Sequence, residues 1–148
     1  MSIEQGTEQD IERCVQLGAD MHAEGHYADL VYDHDIAAEY GRRVCEYGCF
    51  LVARKDADIV GFFTGSLQQY RFGPEYVAVE ELLYVAPEHR TGSTGYRLLK
   101  AFMQWAQDSG ASEVSFATSV KHRKGFDALA ERLGMYPVGA VYKAKLKG

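Results

Sequence analysis

Ten residues, Tyr76 to Val85 (YVAVEELLYV), are apolar except for the adjacent pair Glu80 and Glu81. A nearly continuous apolar run of this length reads as a strand covered on both faces, as in the centre of a layered α/β sheet. It runs straight into the loop Ala86 to Gly95 (APEHRTGSTG). A strong helix follows over 94–109, with Leu98, Leu99, Phe102, Trp105 and Ala106 on its inner face and Gly110 as its stop. Strand, glycine-bearing loop and helix together fix the class as α/β (α+β) and draw attention to the loop.

The flanking sequence supplies the other layers. Residues 2–6 are short and extended, and Thr7 with Asp10 resembles a capping box opening a helix that ends near Gly25. A second helix is expected over about 35–47, stopping near Gly48. Phe50–Ala53 and Ile59–Phe63 flank Lys55-Asp56-Ala57-Asp58 as a hairpin, whose second strand extends to Leu67 or beyond. After the long helix come a strand at 114–118, a helix at 123–133 closed by Gly134, and a final strand or hairpin over 138–146. No repeat, linker or low-complexity segment appears, so a single domain over 1–148 is expected.

Charge divides the chain. Residues 1–85 hold 16 acids and 6 bases, whereas residues 86–148 hold 5 acids and 10 bases. A basic second half suits an anionic ligand and an acidic first half a cationic one, although scattered solvated charge would look the same. No lysine/arginine stripe accompanies the acidic total, so nucleic-acid binding is not expected. The apolar runs are far too short for a membrane span, and the acidic first twenty residues lack a signal-like apolar region. Cys14, Cys45 and Cys49 show no Cys-x-x-Cys spacing and read as reduced thiols in a cytoplasmic protein.

The chemistry concentrates in residues 81–99 (ELLYVAPEHRTGSTGYRLL). Glycine lets successive N–H groups converge on one point, and the first amides of a helix favour an anion. Arg90 adds positive charge. The segment has the parts of a phosphate cradle but neither the Walker ending nor the Gly-x-Gly-x-x-Gly fingerprint. By itself it could equally be a turn that binds nothing.

Val85-Ala86-Pro87-Glu88-His89-Arg90, then Gly95 and Leu98-Leu99, resembles the coenzyme A loop of the GNAT (Gcn5-related N-acetyltransferase) superfamily. The family pattern is Gln/Arg-x-x-Gly-x-Gly/Ala; Arg90 and Gly95 match its ends, while Ser93 replaces the middle glycine beside Gly92. The element order matches over nearly the whole chain, with Leu133-Gly134-Met135 near the end. The resemblance implies a single-domain GNAT-like fold, with a mixed six- to seven-stranded sheet splayed at the middle and flanked by about four helices. It implies acetyl-coenzyme A as co-substrate. The pantetheine arm would run along Leu83, Tyr84 and Val85, and the diphosphate would lie on the amides of Arg90, Thr91, Gly92, Ser93, Thr94, Gly95 and Tyr96. Ser119 and Phe126 would contact the arm, and a Val85 amide would polarise the thioester.

An amine attacks only as the free base, so a proton acceptor is required. Glu80 and Glu81 are the candidates. Neighbouring strand residues face opposite ways, so one of them faces the gap. Glu81 is the choice, because Glu-Leu-Leu-Tyr-Val resembles the Glu-Asp-Leu-Phe-Val of polyamine-type family members. The position of the family's acidic tyrosine is Ala130; Tyr136, Tyr142 and His122 are the substitutes, with Tyr142 carried as a catalytic candidate. The acceptor pocket is expected in residues 22–35, with His26, Tyr27 and Tyr32 as contacts. His22 and His26 have i, i+4 spacing, yet Gly25 intervenes and no third ligand is fixed, so no metal is expected. The reading is an amine N-acetyltransferase acting on a small-molecule or protein amine, with a homodimer admitted by the family. The alternative is a catalytically weak module that binds acyl-coenzyme A or a protein partner.

Overall fold

The computed structural model describes residues 1–118 and 123–147. Five strands form one sheet in the order β1-β2-β3-β4-β5: Ser2–Gln5, Cys49–Lys55, Asp58–Gln69, Tyr76–Val85 and Glu113–Ser115. The first four pair antiparallel, and β5 joins β4 in parallel. That parallel step requires a crossover, and α3 (Thr94–Asp108) provides it. The remaining helices are α1 (Ile11–Glu24), α2 (His34–Tyr47) and α4 (Arg123–Arg132).

Local chemistry accounts for the element boundaries. Asp10 accepts from the Thr7 amide at 2.9 Å and its hydroxyl at 3.1 Å, closing the capping box over a short 3-10 turn before α1 begins. Asp33 caps α2 by accepting from the Ile36 amide at 3.0 Å. The β2–β3 hairpin turns through Asp56 and Ala57 with φ of 50° and 69°, the paired left-handed geometry that matches strand twist. Gly48 ends α2 where a Cβ would come within 2.6 Å of the Gly65 carbonyl, so only glycine lets the helix meet the sheet there.

Helices cover the sheet on both faces, as the apolar run of β4 demands. On one face α1 and α2 bury Ile11, Val15, Leu17 and Val44 against Phe50, Val52, Phe62 and Tyr84. On the other, α3 buries Leu98, Leu99, Phe102 and Ala106 against Ala53, Val60, Phe63, Ala78 and Val85, with Leu129 and Leu133 packed alongside. No helix among the described residues is long and apolar enough to cross a membrane.

The expected sheet of six to seven strands is corrected to five among the described residues. The segment 138–146 forms no strand. Its pattern alternates Tyr142, Ala144 and Leu146 with Lys143, Lys145 and Lys147, which suits a strand only where an edge lies alongside. Here Lys143 and Lys145 reach the turn after α1 instead, and Val138, Val141, Tyr142 and Leu146 stay 80% or more exposed.

Candidate functional site

The site is built around an irregularity in β4. Thr64 of β3 faces Leu82, but the next residue, Gly65, faces Glu80. Glu81 is therefore the extra residue of a β-bulge. The bulge inverts the facing of β4. Before it Ala78 joins the α3 core, whereas after it Leu82, Tyr84 and Ala86 join the α1/α2 side and Leu83 and Val85 the α3 side. Glu81 points to the α2 side, where Tyr40 donates to its Oε1 at 2.8 Å. Glu80 lies on the face of Ala78 by alternation, half-buried, and accepts from the Ala117 amide at 3.2 Å. Burial pushes the Glu80 carboxyl up to about 7; the Ala117 amide pulls the other way, and the Glu81 charge adds to the rise.

Glu80 also marks where the sheet opens. β4 and β5 pair only through Val77–Val79 and Glu113–Ser115, so β4 continues for six residues beyond its last partner on that side. The Ala86 amide bonds to the Val60 carbonyl at 2.8 Å, which makes 86, 84 and 82 the positions hydrogen-bonded to β3. The N–H and C=O groups of Leu83 and Val85 consequently point the other way, to the edge that β5 has left.

That edge leads through a 3-10 turn, Pro87–His89, into the start of α3. The amides of Thr94, Gly95 and Tyr96 head the helix and by its geometry have no intrahelical partner. Ser93, at the cap position, places no side-chain hydrogen bond across them. A Cβ built on Gly92 or Gly95 meets nothing within 4 Å, so the approach to these amides is open. Neither glycine has a positive φ; that occurs only at Gly110 and Gly134 among the described glycines. Their role is close approach rather than an unusual backbone turn. An uncapped helix start and two glycines facing open space favour an anion at one end, and the strand edge beside them offers main-chain groups without a strand partner.

Arg90 is placed differently from a simple phosphate contact. Its Nε donates to the Val85 carbonyl at 2.7 Å, and its terminal nitrogen donates to Glu24 at 3.0 and 3.3 Å. Its guanidinium lies 5.2 Å from the centre of the Tyr84 ring, and the Tyr84 hydroxyl donates to the same Glu24 at 2.5 Å. Arg90 thus ties the loop to the C-terminal end of α1. Tyr84, 5% exposed, turns its side chain into the core, and its main-chain groups face β3. At the helix start Thr94 is buried, and the Tyr96 ring stacks under Arg132 of α4 at 4.1 Å. Phe126 packs on Phe116 at 5.9 Å between ring centres, beside β5. Ser119 and His122 lie outside the described residues.

Residues 25–33 connect α1 to α2 as turns. His26 and Tyr27 are exposed with ring centres 4.2 Å apart, and the His26 carbonyl and Asp29 carboxylate receive Lys143 and Lys145. Tyr32 spends its hydroxyl on the Val15 carbonyl at 2.6 Å and packs against Gly18, so it anchors the segment to α1. Tyr142 is 92% exposed and packs against neither glutamate; Tyr136 is 78% exposed.

Sequence reasoning missed Tyr40, Thr64 and Glu24. Thr64, 3% exposed within the apolar run of β3, was the available signal: a buried hydroxyl must have a partner, and that partner is Tyr40 at 2.7 Å.

Comparison with known proteins follows from this geometry. The sequence model of the acetyltransferase (GNAT) family matches residues 12–135. No curated protein sequence matches the chain. Among solved structures, an aminoglycoside N-acetyltransferase in complex with CoA superposes with a TM-score of 0.77 at 20% identity, over 99% of this chain and 95% of that one. A glucosamine-6-phosphate N-acetyltransferase from Arabidopsis thaliana gives 0.76 at 11%, over 99% and 98%. A ribosomal-protein-alanine N-acetyltransferase from Brucella melitensis biovar Abortus 2308 gives 0.77 at 17%, over 98% of each. Identities this low speak for a shared fold.

Proposed function

Since the chain belongs to the acetyltransferase (GNAT) family, we propose that it is an N-acetyltransferase that uses acetyl-coenzyme A and a primary amine, joined by direct attack. The observation that carries the reading is the departure of β5 from β4 at Glu80. It leaves the Leu83 main chain and the Val85 amide without a strand partner on a line that ends at the uncapped start of α3. Acetyl-coenzyme A supplies the acetyl group and a thiol leaving group. The amides from Thr91 to Tyr96 hold its diphosphate, the Leu83 main chain and the Val85 amide face its arm, and Phe126 lines the arm from α4. Arg90 contributes by fixing the loop through Glu24.

The two glutamates divide the proton work. Glu81, exposed on the α2 side, receives the acceptor as an ammonium ion. Glu80 takes the base role that the resemblance gave to Glu81. At the opening between β4 and β5, with its carboxyl pushed to about 7, it draws one proton from that nitrogen through a relaying water. This frees the lone pair for C–N bond formation, and the thiolate released as the C–S bond breaks takes the second proton. The Val85 amide stabilises the oxygen on which charge develops. His26 and Tyr27 border the acceptor side.

Thiol release from acetyl-coenzyme A across a panel of amines tests the activity. No turnover with any amine, together with tight coenzyme binding, would leave the non-catalytic binding module standing in its place. The coenzyme loop has its own test in Gly95→Ala. The added methyl meets no protein atom and improves helix propensity, so thermal stability should hold or rise by about 0.5 kcal/mol. The same methyl intrudes on the diphosphate, and the coenzyme dissociation constant by calorimetry should rise about tenfold. A variant that binds coenzyme A as well as the parent would remove these amides from the site.

A further inference from the structure

Thr64, Tyr40 and Glu81 form a chain of hydroxyl and carboxylate groups running from β3 through α2 to the bulge. Tyr40 Oη lies 2.7 Å from Thr64 Oγ1 and 2.8 Å from Glu81 Oε1. A phenol has one proton, and Glu81 can only accept while ionised. Tyr40 therefore donates to Glu81, and the Thr64 hydroxyl donates to Tyr40. Every donor in the chain points toward the carboxylate. Burial, the largest influence, drives the Tyr40 pKa far above the usual phenol range, so the donor persists at every working pH.

This chain lies where Glu81 has no strand partner to steady it. As the extra residue of the bulge, Glu81 lacks a cross-strand neighbour on β3, and its side chain is exposed. A glutamate so placed would sample many rotamers. The Tyr40 bond fixes one oxygen and leaves the second, with its lone pairs, open to a ligand. Glu80 is the adjacent carboxylate, close enough for its charge to be felt. Tyr40 lies in α2, the helix that begins directly after the 25–33 turns.

We propose that Tyr40 is a positioning residue that aims Glu81 at a protonated alkylamine, making the acceptor class a cationic primary amine rather than a neutral one. The inference rests on the reading that the acceptor docks at Glu81. Its physical content is a charge-assisted hydrogen bond from an ammonium N–H to a carboxylate held in one orientation. A neutral arylamine offers no charge to that carboxylate and gains little from its alignment.

The experiment compares Tyr40→Phe, Glu81→Gln and the parent, with acetyl-coenzyme A and two probe sets: primary alkylamines including 1,4-diaminobutane, and aniline. Thermal unfolding is followed in parallel. For Tyr40→Phe the alkylamine KM should rise about tenfold with kcat held within about twofold, the size expected for one lost charge-assisted orientation. The KM values for aniline and for acetyl-coenzyme A should not move. An equal rise for aniline or for the coenzyme would make Tyr40 a purely structural residue, and no rise at all would remove it from the site. If Glu81→Gln raises the alkylamine KM while Tyr40→Phe does not, the Tyr40 inference alone fails. Should Glu81→Gln leave that KM unchanged, or should no amine turn over, the docking reading fails with it. If Tyr40→Phe unfolds, Thr64→Val replaces it, since that variant keeps the phenol but removes the donor that orients it. Its alkylamine KM should rise about threefold, and an unchanged KM would overturn the proposal.

Discussion

Glu80→Gln should lower the rate of acetyl transfer by a factor of about 10² to 10³, the usual loss when a positioned proton acceptor is removed. The parent kcat/KM should fall toward acid with an apparent pKa near 7, the value to which burial drives this carboxyl. The variant should lose that limb. The same substitution should make the protein more stable at pH 8. In the folded chain the carboxyl titrates at about 7, against an ordinary value of 4.5. Between those two values the folded state holds more protons than the unfolded one. The Glu80 contribution to stability is therefore full below about 4.5, is lost as pH rises to about 7 and is level above. At 1.36 kcal/mol per pKa unit the penalty is at most about 3 kcal/mol, and partial exposure to water reduces it to roughly 1 to 2. Glutamine keeps an oxygen for the Ala117 amide and never ionises, so this part of the slope should vanish. Full activity in Glu80→Gln, or a slope identical to that of the parent, would assign the proton work elsewhere. Glu81→Gln offers a cross-check. Its charge adds to the rise at Glu80, so removing it should move the acid limb to lower pH.

Phe102→Ala should cost about 3 to 5 kcal/mol in urea unfolding and lower the thermal midpoint by about 10 °C or more. Phe102 is fully buried, with its ring centre 4.4 Å from that of Phe63 and 5.9 Å from that of Trp105. It also fills the space over Gly65, where a Cβ would come within 2.8 Å of its ring. Gly65 is the residue opposite Glu80. The cavity left by alanine would therefore lie directly under the bulge, bordered by side chains that cannot all close in. Surviving Phe102→Ala protein should show a weakened glutamate site as well as a weakened core. A loss under about 1 kcal/mol would mean that α3 is seated by other contacts.

Much of this arrangement could be read from the residues in order. The apolar run of β4 announced a covered strand, Thr7 and Asp10 announced a helix start, and the four residues Lys55 to Asp58 announced a hairpin. Each of those signals is complete within a few positions. The glycine-bearing loop and the start of α3 were legible for the same reason, since a helix start and its glycines are local.

What escaped depends on partners distant in the chain. The bulge at Glu81 exists only in the register with β3, and simple alternation along β4 gives no hint of it. Tyr40 meets Glu81 from 41 positions away, and Arg90 meets Glu24 from 66. A formal charge at Arg90 suggested a free cation for phosphate, yet Glu24 and the Val85 carbonyl engage it first. The 138–146 segment erred in the opposite direction. Its alternation satisfies a strand locally, but no edge receives it.

The extra residue in β4 acts like a shift of reading frame. Upstream of it even-numbered side chains belong to one core, and downstream they belong to the other. Deleting Glu81 would remove more than one carboxylate. It would close the ladder into regular alternation, with Glu80 still opposite Gly65 and Leu82 still opposite Thr64, so the local bend would go while both halves kept their facing. A residue inserted between Leu82 and Val85 has no such slack and should exchange the faces of everything beyond it, whereas in the β3–β4 turn at 70–75, which carries no such phase, length changes should be absorbed.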